Sequence, residues 1–393
     1  NTESGIIVYT GISDGMITVC AYIEGVKTED TVKIEETQDE KNALSLLFYR
    51  VLSKATGDTY PWGILYGVRP ARFYHSLADK FSPDYAQKVL KDKFLVSDGK
   101  ISLVSAVAES ENKIIPLSGR NSFSLYVSIP FCPTRCSYCS FVSHSIERAA
   151  SLLDDYVELL EKELEETGRY VKELGLKLET VYFGGGTPTT LSASQLSRVL
   201  GAVERNFDLS QLREYTVEAG RPDTVTEKKL TVLKSAGVGR ISINPQTFND
   251  EVLNVIGRRH TSAQTLQAYD TAVNCGFENI NMDFIAGLPK DTLRSFTNSI
   301  ETALKLAPSN ITVHTLCLKT GAFMTSHGMP DKALAADMVE FSRNALTSAG
   351  YKPYYMYRQG KSVGNLENTG WCTQGHDCLY NVFMMDETHT VLA

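Results

Sequence analysis

The chain has 393 residues, of which 42% are hydrophobic and 22% are charged, and its formal net charge is −7. This composition is typical of a globular protein of two or three domains, and it excludes a disordered chain, a collagen and a small disulfide scaffold. No stretch approaches the ~18 uncharged apolar residues of a membrane-spanning helix, so we expect no membrane span. A mildly acidic chain has no general attraction for nucleic acid, so we expect no nucleic-acid partner.

Residues 1–118 predict a small α+β domain. Short β-type runs at 6–10 and 16–23 are joined by Gly and Asp turn residues. Residues 40–54 carry apolar side chains at helical spacing. The segment 114–121 contains Pro and Gly and predicts a linker to the rest of the chain.

The segment 60–70 is dense in aromatic residues, Gly and Pro. Such a composition predicts a packed turn between two helices. The alternative is a surface that binds a partner or a substrate anion through Arg69 and Arg72. We leave both interpretations open for this segment.

From residue 122 to about residue 350, strand patterns alternate with helix patterns. The strand candidates are 123–129, 178–183, 215–219, 240–244, 280–285 and 311–316. The helix candidates are 152–172, 193–205, 227–236, 263–275, 292–306 and 332–349. This alternation favours an α/β fold with a parallel sheet, and about six units fit a partial (β/α)6 TIM-like barrel better than a full one. A doubly wound open sheet stays possible, and in either fold ligands bind at the carboxyl ends of the strands.

Eight cysteines are few for a chain of this length, yet three of them fall within eight positions. Such crowding indicates metal or redox chemistry in a reducing compartment. The first residues lack the basic and apolar segments of a secretory signal, and we expect a cytoplasmic protein.

Cys132, Cys136 and Cys139 form a C-x3-C-x2-C loop directly after the first predicted strand of the barrel. Thiolates at this density select soft metals or an iron–sulfur cluster. Structural zinc usually takes four protein ligands, and Cys372 and Cys378 could complete such a site if the C-terminal segment folded back to the loop. On a four-iron cluster, three thiolates leave one iron able to chelate an amino and a carboxylate group.

This loop resembles the cluster-binding motif of the radical S-adenosylmethionine superfamily. The resemblance implies a radical-SAM-type barrel in which Cys132, Cys136 and Cys139 hold a 4Fe-4S cluster. It also implies that the cluster donates an electron to cleave S-adenosyl-L-methionine, and that the resulting 5′-deoxyadenosyl radical takes a hydrogen atom from the substrate. The protein orients these cofactors and excludes water.

Further motifs follow the predicted strands in order. The glycines at 184–186 end the second strand, where the missing Cβ atoms let the backbone approach a ligand closely. Glu218 ends the third strand, where a carboxylate can accept hydrogen bonds from ribose hydroxyls, or form a salt bridge at the rim. Gln246 follows the fourth strand, and Asp283 on the apolar fifth strand is costly to bury unless it is paired.

Arg258 and Arg259 follow a predicted helix. Either could pair with the carboxylate of the cofactor, or both could simply favour the end of a helix. The resemblance favours Arg258. It assigns the S-adenosylmethionine contacts to Tyr126, Gly185, Gly186, Thr187, Glu218, Gln246, Arg258 and Asp283.

Together, these elements resemble the oxygen-independent coproporphyrinogen III oxidase group over residues 122–393. The segment around 62–70 resembles the HemZ-type coproporphyrinogen dehydrogenases, which extends the match over nearly the whole chain. The resemblance implies oxidative decarboxylation of coproporphyrinogen III to protoporphyrinogen IX, a tetrapyrrole substrate, and a low-potential electron donor such as flavodoxin or ferredoxin. It also implies that residues 351–393 begin a substrate-covering region, which we expect to continue beyond the strand-like segment 390–393.

A substrate with four carboxylates needs several cationic groups. The candidates are Arg69, Arg72, Arg258, Arg259 and Arg358. The oxidases that the chain resembles carry a fourth Cys two residues past the third, whereas Ser140 and Phe141 follow Cys139 here. The HemZ-type branch also lacks this fourth Cys.

The related haem chaperones end with a His-Asn and a Tyr-Trp pair after a Gly-His-x-Cys step. This chain keeps His376 and Cys378, but Tyr380 replaces the next His and two Met residues replace the Tyr-Trp pair. His376 and Cys378 could ligate haem or have a structural role. The alternatives to the oxidase are therefore a haem-binding chaperone and a radical enzyme that acts on haem itself.

Overall fold

The computed structural model describes residues 6–33, 40–141, 143–317 and 331–393. The chain divides into two compact units, Asn1–Ser105 and Ala106–Ala393. This division falls before the predicted linker, inside a helix. The assignment of residues 1–118, 122–350 and 351–393 to three domains stays a prediction.

The first unit combines a small antiparallel sheet with helices. The strands are β1 (Ile6–Ser13), β2 (Met16–Ile23) and β3 (Val26–Lys33), paired in the order β1-β2-β3. The helices are α1 (Glu40–Thr56), α2 (Pro70–Lys80) and α3 (Pro83–Asp92), and α4 (Asp98–Ile114) crosses into the second unit. Ile17 and Val19 of β2 pack against Leu47 and Val51 of α1. The two predicted strands and the first predicted helix are confirmed.

The segment 60–70 joins α1 to α2 as a packed turn. Trp62 is fully buried. At Gly63 the backbone has a φ of +51°, and a Cβ there would lie 2.1 Å from the carbonyl oxygen of Phe94. The prediction of a packed turn is confirmed, and an anion-binding role for Arg69 and Arg72 stays a prediction.

The second unit contains the main sheet. Its strands are β4 (Ser122–Ile129), β5 (Phe131–Cys132), β6 (His144–Ser145), β7 (Lys177–Gly185), β8 (Glu214–Glu218), β9 (Arg240–Ser242), β10 (Asn279–Ala286), β11 (Asn310–Thr315), β12 (Lys352–Arg358), β13 (Glu367–Cys372) and β14 (Thr390–Leu392). Its further helices are α5 (Ile146–Ala149), α6 (Leu153–Glu173), α7 (Ala193–Asn206), α8 (Glu227–Ser235), α9 (Asp250–Val255), α10 (Ser262–Asn274), α11 (Leu293–Leu306), α12 (Lys332–Ser348) and α13 (Leu379–Asp386).

The order of the parallel strands decides between the two predicted folds. Neighbours in the sheet run β4-β7-β8-β9-β10-β11, each parallel to the next. A doubly wound sheet reverses its strand order at a switch point, whereas a barrel progresses in one direction. The structure therefore confirms the partial TIM-like barrel. We call the side where these strands end the carboxyl edge, and the side where they begin the amino edge.

The C-terminal residues extend the same sheet. β13 pairs antiparallel with β11, and β12 pairs antiparallel with β13. β14 pairs parallel with β4, and α13 contacts both β7 and β12. The sheet thus continues past residue 350, and a substrate-covering role for residues 351–393 stays a prediction.

The core of the second unit lies between the parallel strands and their helices. Fully buried side chains from the strands include Phe123, Val181 and Phe183, and α7 contributes Leu196 and Val199. Several helices begin with a capping box, which fixes where each helix starts. Within the described ranges, no helix is both long enough and apolar enough to cross a membrane.

Candidate cofactor site at the carboxyl edge

A cavity of about 360 Å³ lies at the carboxyl edge of the sheet. Its volume falls within the roughly 300–1,000 Å³ of small-molecule sites. The predicted site residues that line it are Cys132, Cys136, Cys139, Gly185, Gly186, Thr187, Glu218, Gln246, Arg258 and Asp283. The fold thus brings together residues that lie on or follow five strands, β5, β7, β8, β9 and β10, as expected for a barrel.

The three cysteines lie in the loop that begins at β5. Cys136 is buried, and Cys132 and Cys139 are half-buried. The hydroxyl of Thr187 donates to Sγ of Cys132 at 3.5 Å. The loop therefore presents three thiols to the cavity, and one of them is contacted from the end of β7.

Arg221 is a site residue that the sequence analysis missed. It is 3% exposed and donates through two nitrogens to the carboxylate of Asp223, each at 3.1 Å. The same guanidinium donates to the carbonyl of Thr134 at 3.2 Å and to Sγ of Cys136 at 3.8 Å. Arg221 therefore links the loop after β8 to the cysteine loop and places a buried positive charge beside one of its thiols.

The glycine triplet is required by packing against the protein itself. A Cβ at Gly184 would lie 2.9 Å from the hydroxyl of Tyr126, and one at Gly186 would lie 2.6 Å from the carbonyl oxygen of Phe131. Gly185 has a φ of +99°, in the region that favours glycine. The end of β7 therefore packs directly against the start of the cysteine loop, while Gly185 and Gly186 still line the cavity.

Tyr126 lies outside the set of residues that line the cavity. Its ring stacks against Tyr182 and Tyr380, with both centroid distances at 6.1 Å. Tyr182 is the tyrosine of this stack that faces the cavity. A direct contact of Tyr126 with the cofactor stays a prediction.

Two carboxylates line the cavity in different environments. The hydroxyl of Tyr182 donates to Oε1 of Glu218 at 2.6 Å, and burial raises the pKa of Glu218 to about 7. Asp283 accepts a hydrogen bond from Nδ2 of Asn281 at 2.7 Å and lies 3.8 Å from Nε2 of His314. Burial alone would raise the pKa of Asp283, but His314 and Asn281 outweigh it and leave that pKa below its usual value. Perturbed carboxylates in a cavity are typical of functional sites.

Gln246 has an unusual backbone. Its φ is +66°, although it is not a glycine. Its backbone N–H donates to the backbone carbonyl of Asp283 at 2.8 Å, and its backbone carbonyl accepts from the N–H of Ile285 at 3.1 Å. These two bonds to β10 hold the residue in a conformation that costs about 1–3 kcal/mol and that recurs at ligand sites.

The structure separates the two arginines after α9. Arg258 is buried, lines the cavity, and donates to the carbonyl of Asn244 at 2.6 Å and to that of Gly220 at 3.3 Å. The side chain of Arg259 is 68% exposed and pairs with Glu147 at 2.5 Å. The choice of Arg258 over Arg259 therefore agrees with where each side chain lies.

The residues around the cavity fit the cofactors that the motif implies. Ser242 Oγ, Asn244 Oδ1 and Arg258 Nε are buried and find no hydrogen-bond partner among the described residues. Each unpaired buried polar atom costs roughly 1–3 kcal/mol, so together they favour a polar ligand in this cavity. Three thiols in one loop are the donor set that iron–sulfur clusters take.

The C-terminal cysteines lie at the opposite side of the sheet. Cys372 pairs in the sheet with Asn310, the first residue of β11. Cys378 donates to Glu214, the first residue of β8, at 3.3 Å. Both are therefore at the amino edge, and the expectation that they could complete a zinc site at the cysteine loop is wrong. His376 lies at the same edge, where its carbonyl accepts from Arg240 at 2.9 Å.

The cationic groups around the cavity differ from most of those expected. Arg258 lines it, whereas Arg259 and Arg358 do not. Arg135 and Arg221 line it instead, and Arg135 is exposed. Arg135 stands between two of the cysteines in the sequence, which is the signal that could have identified it. Arg221 gives no such signal, because it lies 85 positions from the thiol that it contacts.

A parallel barrel with a three-thiol loop at its carboxyl edge is the architecture of a radical enzyme. A sequence profile of the Radical SAM superfamily matches residues 126–303. The chain belongs to this superfamily, whose members use a 4Fe-4S cluster and S-adenosylmethionine.

Individual relatives narrow the group within this superfamily. The chain is 38% identical over 371 residues to the oxygen-independent coproporphyrinogen-III oxidase-like protein HemZ of Bacillus subtilis, with 92% of this chain and 74% of HemZ covered. It is 36% identical to the haem chaperone HemW of Lactococcus lactis, with 59% of this chain and 60% of that protein covered. The structure of coproporphyrinogen III oxidase HemN from Escherichia coli matches 68% of this chain and 59% of HemN, at a TM-score of 0.54 and 25% identity.

Proposed function

We propose that this protein catalyses the oxidative decarboxylation of coproporphyrinogen III to protoporphyrinogen IX without oxygen. The observation that carries the radical chemistry is the convergence of three thiols, two carboxylates and a buried arginine on one cavity. The substrate assignment is supported by the likeness to HemZ, which covers 92% of the chain.

The cysteine loop would hold the cluster through Cys132, Cys136 and Cys139. The proposed S-adenosylmethionine contacts are Gly185, Gly186, Thr187, Glu218, Gln246, Arg258 and Asp283, with Tyr126 behind them. When bound, these cofactors supply a hydrogen-abstracting radical at the carboxyl edge.

The protein's own groups bind and orient the cofactors. Arg221 donates to Sγ of Cys136 at 3.8 Å and so helps to orient this thiol. Glu218 and Asp283 can accept hydrogen bonds from hydroxyl groups of the cofactor. The buried positive charge of Arg258 can pair with the carboxylate of the cofactor. The buried walls of the cavity exclude water, which would otherwise compete for a reactive intermediate.

The substrate would reach the cavity from its solvent side. Arg135 lines the cavity and is exposed, so its positive charge attracts a propionate carboxylate there. Decarboxylation of each propionate releases carbon dioxide and leaves one electron for an acceptor. We propose a low-potential donor such as flavodoxin or ferredoxin, and a cytoplasmic setting that keeps the cysteine loop reduced.

A second candidate is a haem-binding chaperone. The likeness to HemW at 36% identity over 237 residues favours it. Under this alternative the barrel keeps its cofactor site but performs no decarboxylation. Cys378 would be a poor haem ligand, because its thiol is buried and hydrogen-bonded to Glu214.

The deciding experiment is an anaerobic turnover assay. The protein is reconstituted with iron and sulfide, mixed with S-adenosylmethionine and a low-potential reductant, and given coproporphyrinogen III or haem. Formation of protoporphyrinogen IX and 5′-deoxyadenosine supports the oxidase. Stoichiometric haem binding without turnover supports the chaperone, and haem consumption supports a radical enzyme that acts on haem.

A further inference from the structure

Tyr182 connects the cavity to a stack of aromatic rings. It lies on β7, and its hydroxyl donates to Oε1 of Glu218 at 2.6 Å. Its ring stacks on Tyr380 at a centroid distance of 4.4 Å and an angle of 23°, and on Tyr126 at 6.1 Å. The described residues give Glu218 no other hydrogen-bond donor, so this hydroxyl sets the direction of the carboxylate.

The ring of Tyr380 is itself held from the amino edge. Tyr380 lies in the first turn of α13, whose amides at Leu379 and Tyr380 donate to the carboxylate of Glu214 at 2.8 and 3.1 Å. Glu214 in turn pairs with the buried Arg240 at 3.5 Å. The position of Tyr380 is therefore fixed by the main sheet, and Tyr380 can hold Tyr182 by stacking.

We propose that Tyr182 is a positioning residue for S-adenosylmethionine: it directs the Glu218 carboxylate into the cavity, and Tyr380 holds Tyr182 in place. This inference rests on the proposed contact of Glu218 with the cofactor, and it does not depend on which tetrapyrrole is the substrate. It gives α13 an indirect role in cofactor binding through Tyr380, although that helix is far from the cysteine loop in sequence.

The charges around Glu218 determine how its pKa responds when the Tyr182 hydroxyl is lost. Asp283 on β10 raises the pKa of Glu218, whereas His314 on β11 and the hydroxyl of Tyr182 lower it. The other aromatic groups that face it, Tyr126 and Tyr380, are neutral phenols. Loss of the Tyr182 hydroxyl therefore raises the pKa of Glu218, so the strongly accepting ionised form appears only at higher pH.

The test is S-adenosylmethionine binding by anaerobically reconstituted protein, measured calorimetrically across neutral pH. Tyr182→Phe is expected to bind about tenfold more weakly at neutral pH, because a charge-assisted hydrogen bond that orients the acceptor is lost. The midpoint of its binding-against-pH curve is expected to move to higher pH. Binding equal to wild type with an unmoved midpoint would overturn the proposal.

The matched control is Tyr269→Phe. Tyr269 is also buried, and its hydroxyl donates to the carbonyl of Leu306 at 2.9 Å, away from the cavity. This variant loses a comparable hydrogen bond and is expected to bind S-adenosylmethionine as wild type does. A matching loss in Tyr269→Phe would mean that the effect of Tyr182→Phe is general, and would count against positioning.

Two further variants separate the possible failures. If Glu218→Ala binds S-adenosylmethionine normally, the proposed contact itself is wrong. If Glu218→Ala binds weakly and Tyr182→Phe binds normally, only the positioning role fails. Should Tyr182→Phe load less iron, Tyr380→Leu decides: weaker binding at normal iron content supports the stack, and unchanged binding overturns it.

Discussion

At the amino edge of the sheet, many polar groups bond one another, although Arg240 Nε and Asn279 Oδ1 are buried there without a hydrogen-bond partner among the described residues. Glu214 accepts from Cys378 and from two amides of α13, and it pairs with Arg240. At the carboxyl edge, Ser242 Oγ, Asn244 Oδ1 and Arg258 Nε are equally buried and have no partner in the described chain. Both edges contain cysteine, arginine and carboxylate groups, so residue type alone does not distinguish them.

The difference is that the unpaired groups of the carboxyl edge line the cavity, whereas Arg240 and Asn279 do not. A buried network whose groups bond one another stabilises one arrangement of the chain. Unpaired polar groups around a cavity are instead available to form hydrogen bonds with a ligand. Changes at the amino edge should therefore act mainly on folding, and changes at the carboxyl edge should act on iron loading. The following predictions test that contrast.

The largest effect is expected from Cys136→Ala. Removing one of three thiolates should abolish both the cluster absorbance and the formation of 5′-deoxyadenosine after anaerobic reconstitution. Cys378→Ala, at the amino edge, serves as the control and should keep full iron content per folded protein. Retention of either signal in Cys136→Ala would remove the loop from the mechanism.

Glu214→Ala tests the amino edge. Glu214 and Arg240 are 8% and 6% exposed, so the variant leaves a buried arginine without its carboxylate. Breaking such a pair should lower the free energy of unfolding by about 3–5 kcal/mol, measured by denaturant titration. Iron content of the folded fraction should stay normal, and a selective loss of iron would contradict the division between the edges.

The pH dependence of stability offers a third test. His389 hydrogen-bonds to Ser118 and Ser124, and burial lowers its pKa from 6.5 to about 4. As the pH falls, His389 of the unfolded chain is protonated near pH 6.5, whereas His389 of the folded chain is protonated only near pH 4. The free energy of unfolding is therefore highest above pH 6.5 and decreases as the pH falls from 6.5 to about 4. The loss should reach roughly 3 kcal/mol.

His389→Gln should flatten this dependence in denaturant titrations made at several pH values. His144→Gln, which replaces an exposed histidine, should leave the slope as in wild type. An unchanged slope in His389→Gln would show that other groups cause the loss.

The smallest effect is expected from Gly186→Ala. A Cβ there would lie 2.6 Å from the carbonyl oxygen of Phe131, so the cysteine loop must shift. Overpacking of this kind costs about 1–3 kcal/mol in unfolding free energy, and iron loading should fall with it. Gly239→Ala meets no atom within 4 Å and should behave as wild type in both measurements. Equal behaviour of the two variants would show that the triplet is not needed for packing.

Much of the second unit was predictable from sequence, because its strands and helices are strongly periodic. The helix predicted at 193–205 is Ala193–Asn206, and the strand predicted at 280–285 is Asn279–Ala286. β3 was missed because its sequence, VKTEDTVK, has mostly polar side chains, and most of its residues are exposed. β12 and β13 were also missed, because antiparallel additions do not follow the strand-helix rhythm.

The site residues that belong to one short motif could be predicted from the sequence. Contacts between residues that are far apart in the sequence could not. The three thiols lie within eight positions. The contact of Arg221 with Cys136 spans 85 positions, and it depends on the register of β8 against its neighbours. The glycine triplet was recognised, but its packing against Phe131 depends on the register of β7 against β4. Sequence patterns report local geometry and do not report such pairings.

The pairing of β14 with β4 has a consequence for synthesis on the ribosome. Phe123 and Leu125 of β4 pair with Thr390 and Leu392, so the N-terminal border of the barrel gains this neighbour only after the strands and helices between them have been synthesised. Until then β4, whose Phe123, Leu125 and Val127 are buried in the finished protein, has an open border. Unpaired apolar strand borders promote aggregation, so nascent chains should need a chaperone to shield β4 until residues 390–392 emerge.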